Sequence, residues 1–399
     1  MRRTTHTLLL LALTLTLALA SPPTHAATDT AKKTRAKTKP APAKQYDMAS
    51  PVIRKPPPEM LPPPLRVAGN QILTPDGAPV WLQGLCIDSL EWSHVGERVV
   101  QSVITGVYQW KANAIRLPVQ MHTESGKGFW FGKSIYQKDE GKRYREVVDS
   151  AVNAAAGLGA YLIIDLHGFR APTAETLEFW KDVATRYKNH PAVIFELFNE
   201  PHDITWQIWR DGGDVTDSAQ AGQDVVAENK EKLKTFQAVG MQQLVDVIRA
   251  TGAKNVIIAG GIDWSGDISG VLKGYALDDR DGNGIIYTAH VYPWKKDWQG
   301  HFLDVAEKHP VLIGEVGAIR AWEDFSFIGP DQRYPLEGWA EDMIGCIQKY
   351  KLHWTAFSFH PRCGPMIISD WEYTPTPYWG VYVKDALVNG KKFEMKNPR

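Results

Sequence analysis

The stretch VIFELFNEPH, residues 193–202, begins as a buried strand and ends in a polar cluster. Its first half has the continuous apolar side chains of a strand that is covered on both faces. Asn199, Glu200 and His202 then follow, and the proline between the last two has no N–H to extend a ladder. Two interpretations are open at this point: a solvated turn, or a reaction centre at the mouth of a barrel.

The chain contains eight apolar runs of this kind, separated by longer amphipathic segments. Continuous rather than alternating hydrophobicity is typical of parallel strands buried on both faces. Eight such strands with helical connections predict an α/β fold, the (β/α)8 TIM barrel. The alternative is a doubly wound open sheet, although no GxGxxG follows the first strand. The predicted strands are VWLQGL (80–85), AIRLPV (114–119), YLIIDL (161–166), VIFELF (193–198), NVIIAG (255–260), IIYTAH (285–290), VLIGEV (311–316) and WTAFSF (354–359).

The segments between the strands include helix candidates and two other features. RVAGNQILTPDGAPV (66–80) predicts a β-hairpin with a PDG turn, which we expect to be a lid on the N-terminal face of the barrel. Residues 202–228 predict a long insertion after the fourth strand that walls the cleft. The helix candidates are REVVDSAVNAAAGLG (145–159), LEFWKDVATRYK (177–188), LKTFQAVGMQQLVDVIRA (233–250) and LEGWAEDMIGCIQKY (336–350).

Residues 1–26 have the pattern of a secretory signal peptide. Arg2 and Arg3 precede the apolar run at 8–20, and THAA at 24–27 offers a small-residue cleavage site. A retained membrane anchor is the alternative, but the run is shorter than the roughly 20 residues that a span needs. We therefore expect a secreted or periplasmic protein with no membrane segment in its mature form.

Residues 27–64 are rich in Lys, Ala, Thr and Pro, which predicts a disordered or polyproline-like linker. Residues 65–399 are then a single catalytic domain, which we expect to be a monomer. The first 64 residues carry 10 of the 45 basic and 3 of the 45 acidic residues, so the domain has a net charge of about −7. This balance argues against nucleic acid as a partner.

The three cysteines, Cys86, Cys346 and Cys363, allow at most one disulfide. The first and last strands of a closed barrel are neighbours, so Cys86 and Cys363 could meet near the mouth. Two alternatives remain: a disulfide between them, or two free thiols. We expect Cys346 in the core. No CxxC or paired Cys/His spacing predicts a metal site. DRDGNG (279–284) begins like a calcium loop but lacks the glutamate at the twelfth position, so a tight turn is expected.

Polar and aromatic side chains occur where the predicted strands end, the edge at which such barrels carry their chemistry. Any one of them could be a turn residue, but their convergence on one mouth favours a reaction centre. Two facing glutamates are what glycoside hydrolysis requires, because one protonates the leaving oxygen and the other attacks the anomeric carbon. We expect Arg116 to pair with Glu315 and favour its ionised form. The strand-end residues are Arg116, His167, Asn199, Glu200, Trp264, His290, Tyr292, Glu315, Phe359 and His360.

The order IRLP, IIDLHG, NEP, HVYPW and GE, on the second, third, fourth, sixth and seventh predicted strands, resembles glycoside hydrolase family 5. The resemblance covers about residues 66–388 and implies a retaining (β/α)8 glycosidase. It implies that Glu200 is the acid/base and Glu315 the nucleophile, while Asn199 binds the 2-hydroxyl of the sugar. It also implies substrate-contacting roles for Arg116, His167, His290 and Tyr292.

One departure from the family lies on the eighth strand, where the family usually stacks a tryptophan under the sugar. This chain reads AFSFHPRCGP there, so either Phe359 replaces it, or Trp354 or Trp371 is displaced into the role. SLEWS, with Trp92, resembles members that act on cellulose-like chains. The tryptophans in strand-end loops, which we predict to stack on sugars, are Trp92, Trp130, Trp264, Trp294, Trp298 and Trp371.

These patterns predict a secreted retaining endo-β-1,4-glycanase that acts on a β-linked polysaccharide, β-1,4-glucan first, without a cofactor or metal. A β-mannanase or a xyloglucan-active enzyme is the nearest alternative. A metal-dependent barrel hydrolase would carry clustered histidines such as HxH after the first strand, where this chain has GLCID. A non-catalytic carbohydrate-binding barrel would be expected to lack one of the two glutamates.

Overall fold

A computed structural model describes residues 46–122, 129–216 and 235–399. Eight parallel strands close into a barrel in chain order, and the last strand pairs with the first. The predicted TIM barrel is therefore confirmed. In the described residues, every helix is too short or too polar to cross a membrane. The barrel strands are β1 (Gln83–Cys86), β2 (Ala114–Val119), β3 (Tyr161–Leu166), β4 (Val193–Glu196), β5 (Ile257–Gly260), β6 (Ile285–Val291), β7 (Val311–Val316) and β8 (His353–Ala356).

The helices surround the barrel and largely follow the prediction. The exception is the candidate at 233–250, which opens with a strand, Thr235–Val239, followed by a helix from Met241. Phe236 and Val239 are three residues apart, a spacing that suits a helix, but pairing with another strand decides the outcome. The helices are Val99–Tyr108, Lys142–Gly157, Ala174–Arg186, Trp206–Asp211, Met241–Ala250, Asp304–Ala306, Trp339–Tyr350 and Gly380–Val388, with a short helical turn at Ile262–Ser265.

The barrel interior has an apolar lower half and a charged upper half. Alternate residues of each strand point inward. On β3, Ile163 belongs to the apolar interior and the next inward residue is the buried Asp165. On β4, Ile194 and Glu196 follow the same order. The apolar interior thus stops below the mouth, and ionisable side chains fill the layer above it.

The predicted hairpin lies on the N-terminal face, as expected. Arg66–Ala68 pairs antiparallel with Gln71–Leu73 through a turn at Gly69, while the PDG sequence forms a second turn further on. Ile72 packs in the same apolar cluster as the inward residues at the bottom of the barrel. The hairpin therefore closes that end of the barrel and leaves the opposite mouth for chemistry.

The predicted linker is wrong for residues 46–64, which lie against the barrel as an ordered strap. Ile53 N–H donates to Ser150 Oγ (3.2 Å), and Tyr161 Oη donates to Pro63 O (2.9 Å). Ser50 is buried and bonds the helix that begins at Val99. The proline-rich composition keeps the strap extended, and polar groups of the barrel satisfy its backbone. Tyr46–Arg399 consequently form one compact unit.

The insertion after β4 has secondary structure of its own. A helix, Trp206–Asp211, leads into the strand Gly212–Thr216, which pairs antiparallel with Thr235–Val239. The remainder of the predicted insertion lies outside the described residues, as do the predicted signal peptide and the beginning of the predicted linker. DRDGNG forms the expected turn, in which Asp279 accepts a hydrogen bond from Gly284 N (2.7 Å).

Candidate active site

The register of the parallel strands brings the strand-end side chains to one level at the mouth. Asp165 on β3 pairs with Glu196 on β4, and His290 on β6 pairs with Glu315 on β7. The strands end at nearly the same height, so residues that are far apart in sequence converge at the mouth of the barrel. The expected convergence of the polar strand ends is therefore observed.

Arg116 on β2 is the hub of this layer and is fully buried. Its guanidinium bonds Glu196 through Nε (2.7 Å) and Nη2 (3.1 Å), and Nη2 also lies 3.0 Å from Asp165 Oδ2. Nη1 donates to Glu315 Oε1 at 2.9 Å, which is the predicted pairing. Burial alone would lower the pKa of Arg116, but the three surrounding carboxylates outweigh burial and raise it. A planar fork with five donors suits this arrangement, and an ammonium group would not.

Glu315 is held as an anion. Its other oxygen accepts a hydrogen bond from Tyr292 Oη at 2.6 Å. Burial acts to raise the pKa of Glu315, but the positive charges of His290 and Arg116 outweigh burial and lower that pKa to about 2. A carboxylate fixed at both oxygens and ionised at all ordinary pH values has the properties of a nucleophile.

Glu200 lies opposite, just beyond the end of β4, and is partly accessible. The Glu200 side chain is 15% exposed against 7% for Glu315, and Glu200 Oε1 lies 2.9 Å from His290 Nδ1. One oxygen of each glutamate and one His290 nitrogen all lie within 4.8 Å of one another. The two carboxyl groups therefore face each other across a gap with room for one reacting bond.

His290 connects the two glutamates. Its Nδ1 also lies 3.7 Å from Glu315 Oε2, and its Nε2 lies 4.0 Å from Glu196 Oε1. Burial would lower the pKa of His290, but the charge of Glu315 and the contacts with Glu196 and Glu200 raise it to about 9. The imidazole is consequently protonated at neutral pH, and Nδ1 donates its hydrogen to Glu200.

His167, at the end of β3, is fixed between two acids. Nδ1 bonds Asp165 Oδ2 at 2.9 Å, and Nε2 lies 3.2 Å from Glu91 Oε2. Burial opposes protonation, but the charge of Glu91 and the bond to Asp165 raise the pKa of His167 well above its usual value. Its positive charge contributes to the low pKa of Glu315.

Asn199 is oriented for a ligand. Its Oδ1 accepts a hydrogen bond from Arg116 Nη2 at 2.8 Å, which fixes Nδ2 on the other side of the amide. Asn199 Nδ2 is buried and has no acceptor among the side chains and backbone of residues 46–122, 129–216 and 235–399. A buried unpaired donor costs free energy, so it is a strong candidate for a bond to substrate.

Glu200, His290 and Glu315 are also donor types that bind divalent metal ions. Their hydrogen bonds and charge states in this structure are poorly suited to metal binding. Both Glu315 oxygens accept hydrogen bonds, and the protonated His290 has no lone pair for a metal. The donor set is therefore better matched to proton transfer than to metal binding.

Aromatic rings line a cavity of about 520 Å³ that opens beside the two glutamates. Trp264, after β5, stacks on His202 with ring centroids 4.3 Å apart, so His202 supports this ring. Trp294, after β6, stacks on Tyr292 at 4.8 Å. Both tryptophans border the cavity as predicted. Their roles in binding stay predictions.

Trp92 lies on the opposite flank, after β1. Glu97 accepts a hydrogen bond from the Trp92 indole (3.4 Å), lies 3.1 Å from His360 Nε2 and also bonds Arg362. His360 packs edge-on against both Trp92 and Trp371. Glu97 thus ties the loop after β1 to the loop after β8.

Phe359 is not at the mouth, so the prediction that it binds sugar is wrong. It is fully buried against Trp110 and Tyr373, in the layer between the strands and the helices. Trp354 is buried too, on the same outer face. Trp130 and Trp298 are also core residues, contrary to prediction.

The Cys86–Cys363 disulfide is not formed, and all three cysteines are free thiols. Cys86 is buried beside Arg116, whose Nη1 lies 3.8 Å from its sulfur. Burial raises the pKa of both Cys86 and Cys363, so neither thiol is reactive. Cys346 is buried in the core, as expected.

Sequence reasoning missed three acids that complete the charge network: Glu91, Asp165 and Glu196. Asp165 and Glu196 are fully buried carboxylates within apolar strands. Acids are rarely buried unless they are paired, so an acid at an inward position of an apolar strand could have indicated the network from the sequence. Burial raises the pKa of Asp165 to about 6, although the positive charge of Arg116 acts to lower it. For Glu196 the charge of Arg116 outweighs burial, and the pKa is lowered.

Known endoglucanases are similar to this chain in sequence. "Endoglucanase A" of Butyrivibrio fibrisolvens is 26% identical over 268 residues, which cover 64% of this chain and 52% of that protein. "Endoglucanase E-5" of Thermobifida fusca is 22% identical over 315 residues, which cover 74% and 55%. The chain spans about half the length of these curated relatives.

Solved structures show the same fold. The β-glucanase SdGluc5_26A of Saccharophagus degradans superposes with a TM-score of 0.62 at 23% identity, covering 88% of this chain and 99% of that one. The catalytic domain of Thermobifida fusca endoglucanase Cel5A gives a TM-score of 0.56 at 20% identity, covering 81% and 96%. The sequence profile of the family described as Cellulase (glycosyl hydrolase family 5) matches residues 73–362. The chain therefore belongs to glycosyl hydrolase family 5, the cellulase family.

Proposed function

We propose that this protein is a secreted retaining endo-β-1,4-glucanase. The observation that carries the proposal is the approach of Glu200 and Glu315, whose nearest oxygens lie within 4.8 Å. Carboxyl groups about 5 to 5.5 Å apart are typical of glycosidases that retain configuration, whereas inverting enzymes need a wider gap for water. Secretion is supported by the sequence pattern of residues 1–26 alone.

In the first step, Glu315 attacks the anomeric carbon and the glycosidic bond breaks. The pair of electrons leaves on the glycosidic oxygen, which takes the proton of Glu200 and departs as the new end of the leaving chain. Glu315 suits this role because Arg116 and Tyr292 hold its oxygens, and it needs no deprotonation. A glycosyl ester on Glu315 results.

In the second step, Glu200 acts as a base. It takes a proton from water, the water oxygen bonds to the anomeric carbon, and Glu315 leaves as a carboxylate. Inversion at each step gives net retention of configuration. Glu200 is more exposed than Glu315, which is consistent with access to water in this half-reaction.

The surrounding residues would stabilise the charge that develops on the sugar. Asn199 offers Nδ2 to the 2-hydroxyl of the reacting sugar, a contact that strengthens as the ring flattens toward an oxocarbenium ion. His290 donates to Glu200 and holds its carboxyl group toward the glycosidic oxygen. Arg116 and His167 would act through other groups, Arg116 by fixing Glu315 and Asn199 and His167 by its charge.

A β-1,4-glucan is the favoured substrate. The relatives are endoglucanases by name, and the Saccharophagus β-glucanase has been solved with cellotetraose bound. The aromatic cavity beside the glutamates suits the flat, apolar faces of glucosyl units. β-Mannan and xyloglucan are the competing substrates, because loop contacts decide between them. Hydrolysis of a panel of cellulose, mannan, xylan and xyloglucan, with analysis of the products, identifies the substrate.

The two glutamates provide the test of the mechanism. Glu315→Gln should abolish turnover of every glycoside. Glu200→Ala should lose polysaccharide hydrolysis but still cleave aryl glycosides whose leaving group needs no proton, and azide should then give a β-glycosyl azide. Glu307→Ala, an exposed glutamate outside the site, is the matched control and should behave as wild type. Intact polysaccharide hydrolysis by Glu200→Ala would show that the roles are wrongly assigned.

A further inference from the structure

We propose that the cavity beside Glu200 binds the departing part of the glucan chain, and that the loop after β7 extends this site with Phe325 and Phe327. The inference rests on the proposed function and deepens it. It assigns one side of the cleft to the leaving group, and it names two specificity-determining residues that the sequence patterns did not indicate.

The side of the cleft follows from the bonds made by Glu200 and Asn199. Asn199 Oδ1 is fixed by Arg116, which leaves Nδ2 free to bind the sugar that is attacked. Glu200 bonds His290 on β6, so its carboxyl group faces β5 and β6. The oxygen that takes the Glu200 proton belongs to the departing chain. The departing chain therefore begins beside Glu200, and the cavity that borders Glu200 there is bounded by the loops after β5, β6 and β7.

The cavity lies in that position. Phe169, Trp264 and Trp294 border it together with both glutamates. Lys295 fixes the Trp264 loop, because its Nζ bonds the backbone oxygen and the carboxylate of Asp263, both at 2.7 Å. The volume of the cavity, about 520 Å³, falls within the usual range for ligand sites of roughly 300 to 1,000 Å³.

The loop after β7 continues this aromatic surface outward. The Trp294 ring lies 5.5 Å from Phe325 and 6.5 Å from Phe327, centroid to centroid, and the two phenylalanines are 5.9 Å apart. Phe325 and Phe327 both line the cavity, yet Phe327 is 54% exposed. A large apolar ring held at the open edge of a cavity is typical of a binding surface rather than of a core.

The loop that carries these rings has a defined structure. The indole of Trp322 donates to Tyr334 O (3.2 Å), and Arg333 Nε donates to Ile328 O (2.9 Å). These bonds tie the two ends of the segment together around Phe325 and Phe327. The rings are therefore positioned before the substrate arrives, which reduces the entropy lost on binding.

The occupant is the glucosyl part of the departing chain. The hydroxyl groups of a β-1,4-linked glucosyl unit are equatorial, so its two faces are apolar and stack on aromatic rings. The ring centroids of Trp294, Phe325 and Phe327 lie 5.5 to 6.5 Å from one another, so the three rings form one aromatic cluster at the edge of the cavity on which the departing chain can stack. Lys295 and Gln332 border the cavity and offer polar groups for the hydroxyl edges.

The test compares two substrates that differ only in their leaving group. Phe325→Ala and Phe327→Ala should each lower kcat/KM for cellohexaose by about threefold to tenfold, the usual worth of an aromatic contact. The same variants should leave kcat/KM for 2,4-dinitrophenyl β-cellobioside unchanged, because that small leaving group does not reach the loop. With cellohexaose labelled at the reducing end, cleavage should shift toward release of shorter leaving fragments. Tyr108→Ala, an exposed ring on a distant helix, is the control.

The outcomes separate this inference from the proposed function. Wild-type hydrolysis of the aryl cellobioside supports the proposed function whichever way the loop variants behave. Unchanged kcat/KM and cleavage pattern for cellohexaose in both variants would overturn the leaving-side assignment. An equal loss on both substrates would also overturn it, because the rings would then act on the reaction centre. If wild type cleaves neither substrate, the proposed function and this inference both fail.

Discussion

Arg116 Nη1 lies 2.9 Å from Glu315 Oε1, and the same guanidinium bonds Glu196 through two further hydrogen bonds. The candidate nucleophile and the buried carboxylates of the barrel therefore share one counter-ion. Three cationic side chains, Arg116, His167 and His290, face three enclosed acids, Asp165, Glu196 and Glu315. The buried charge of each side chain in this network is balanced only while its oppositely charged partners are present.

Replacing Arg116 with lysine tests this dependence. A lysine has one ammonium group and cannot bond Glu196, Glu315 and Asn199 together, so buried carboxylates lose their partner. We expect the free energy of unfolding to fall by about 3–5 kcal/mol and kcat to fall at least about a hundredfold. Urea unfolding and steady-state kinetics measure the two effects.

The matched control is Arg186→Lys. Arg186 also bonds a carboxylate, Asp149, through two nitrogens, but its side chain is 40% exposed. An exposed pair is worth little, so stability should change by less than about 1 kcal/mol. A similar loss for both variants would show that burial of the network is not what makes Arg116 important.

The raised pKa of His290 predicts a stability difference that depends on pH. The folded pKa is about 9 and the unfolded value is about 6.5, so the protonated ring stabilises the fold. This contribution is fully present below pH 6.5 and is lost as the pH rises through 9. The difference in unfolding free energy between wild type and His290→Gln should therefore be largest at pH 5 to 6.5 and smallest above pH 9.

His353 provides the opposite case. Burial lowers its pKa to about 4, and its neutral Nδ1 accepts a hydrogen bond from Leu82 N (3.0 Å). Its contribution is present above pH 6.5 and is lost as the pH falls through 4. Parallel pH profiles for His290→Gln and His353→Gln would contradict the charge states inferred for the site.

Removal of metal ions should leave the activity intact. Both oxygens of Glu315 accept hydrogen bonds, and His290 is protonated at neutral pH, so two of the three candidate ligands are engaged. Dialysis against EDTA should change kcat by less than twofold, within about 0.4 kcal/mol in the barrier. A loss that is restored by zinc or magnesium would contradict this interpretation of the cluster.

The strap at residues 46–64 should stabilise the barrel. A chain that starts at Tyr46 keeps all of the described strap contacts and should match the full chain in thermal unfolding. A chain that starts at Leu65 loses the bonds of Ser50, Ile53 and Pro63 to the barrel and should lose about 3 kcal/mol or more. Equal melting temperatures for the two truncations would show that the strap only lies on the surface.

The barrel and the glutamate pair follow directly from sequence patterns. A buried parallel strand has a continuous apolar run, and β2, β3 and β7 have the predicted bounds. Because polar residues at strand ends must converge in a closed barrel, the pairing of Arg116 with Glu315 is also predictable. These features depend on the spacing of apolar residues and on the number and order of the strands, and both can be read from a single sequence.

The errors have a different origin. The sequence pattern predicts Phe359 at the mouth, but β8 ends at Ala356, so the alternation of the strand does not extend to Phe359, which packs outward against Trp110. The strap has a composition typical of disorder, and only the barrel surface supplies partners for its backbone. Phe325 and Phe327 lie in an irregular loop whose path depends on tertiary contacts. Side-chain direction in such segments is not encoded by periodicity.

Phe325 and Phe327 contact Trp294 on the neighbouring loop, whereas the ionised network is built on the strands. Under the proposed function, chemistry and substrate choice are therefore carried by segments of the chain that can change separately. Exchanging the segment around Phe325 and Phe327 between barrels of this kind should transfer chain-length preference without disturbing the charge balance around Arg116. Laboratory evolution of this protein toward new polysaccharides is best directed at that loop, while the strand ends are kept constant.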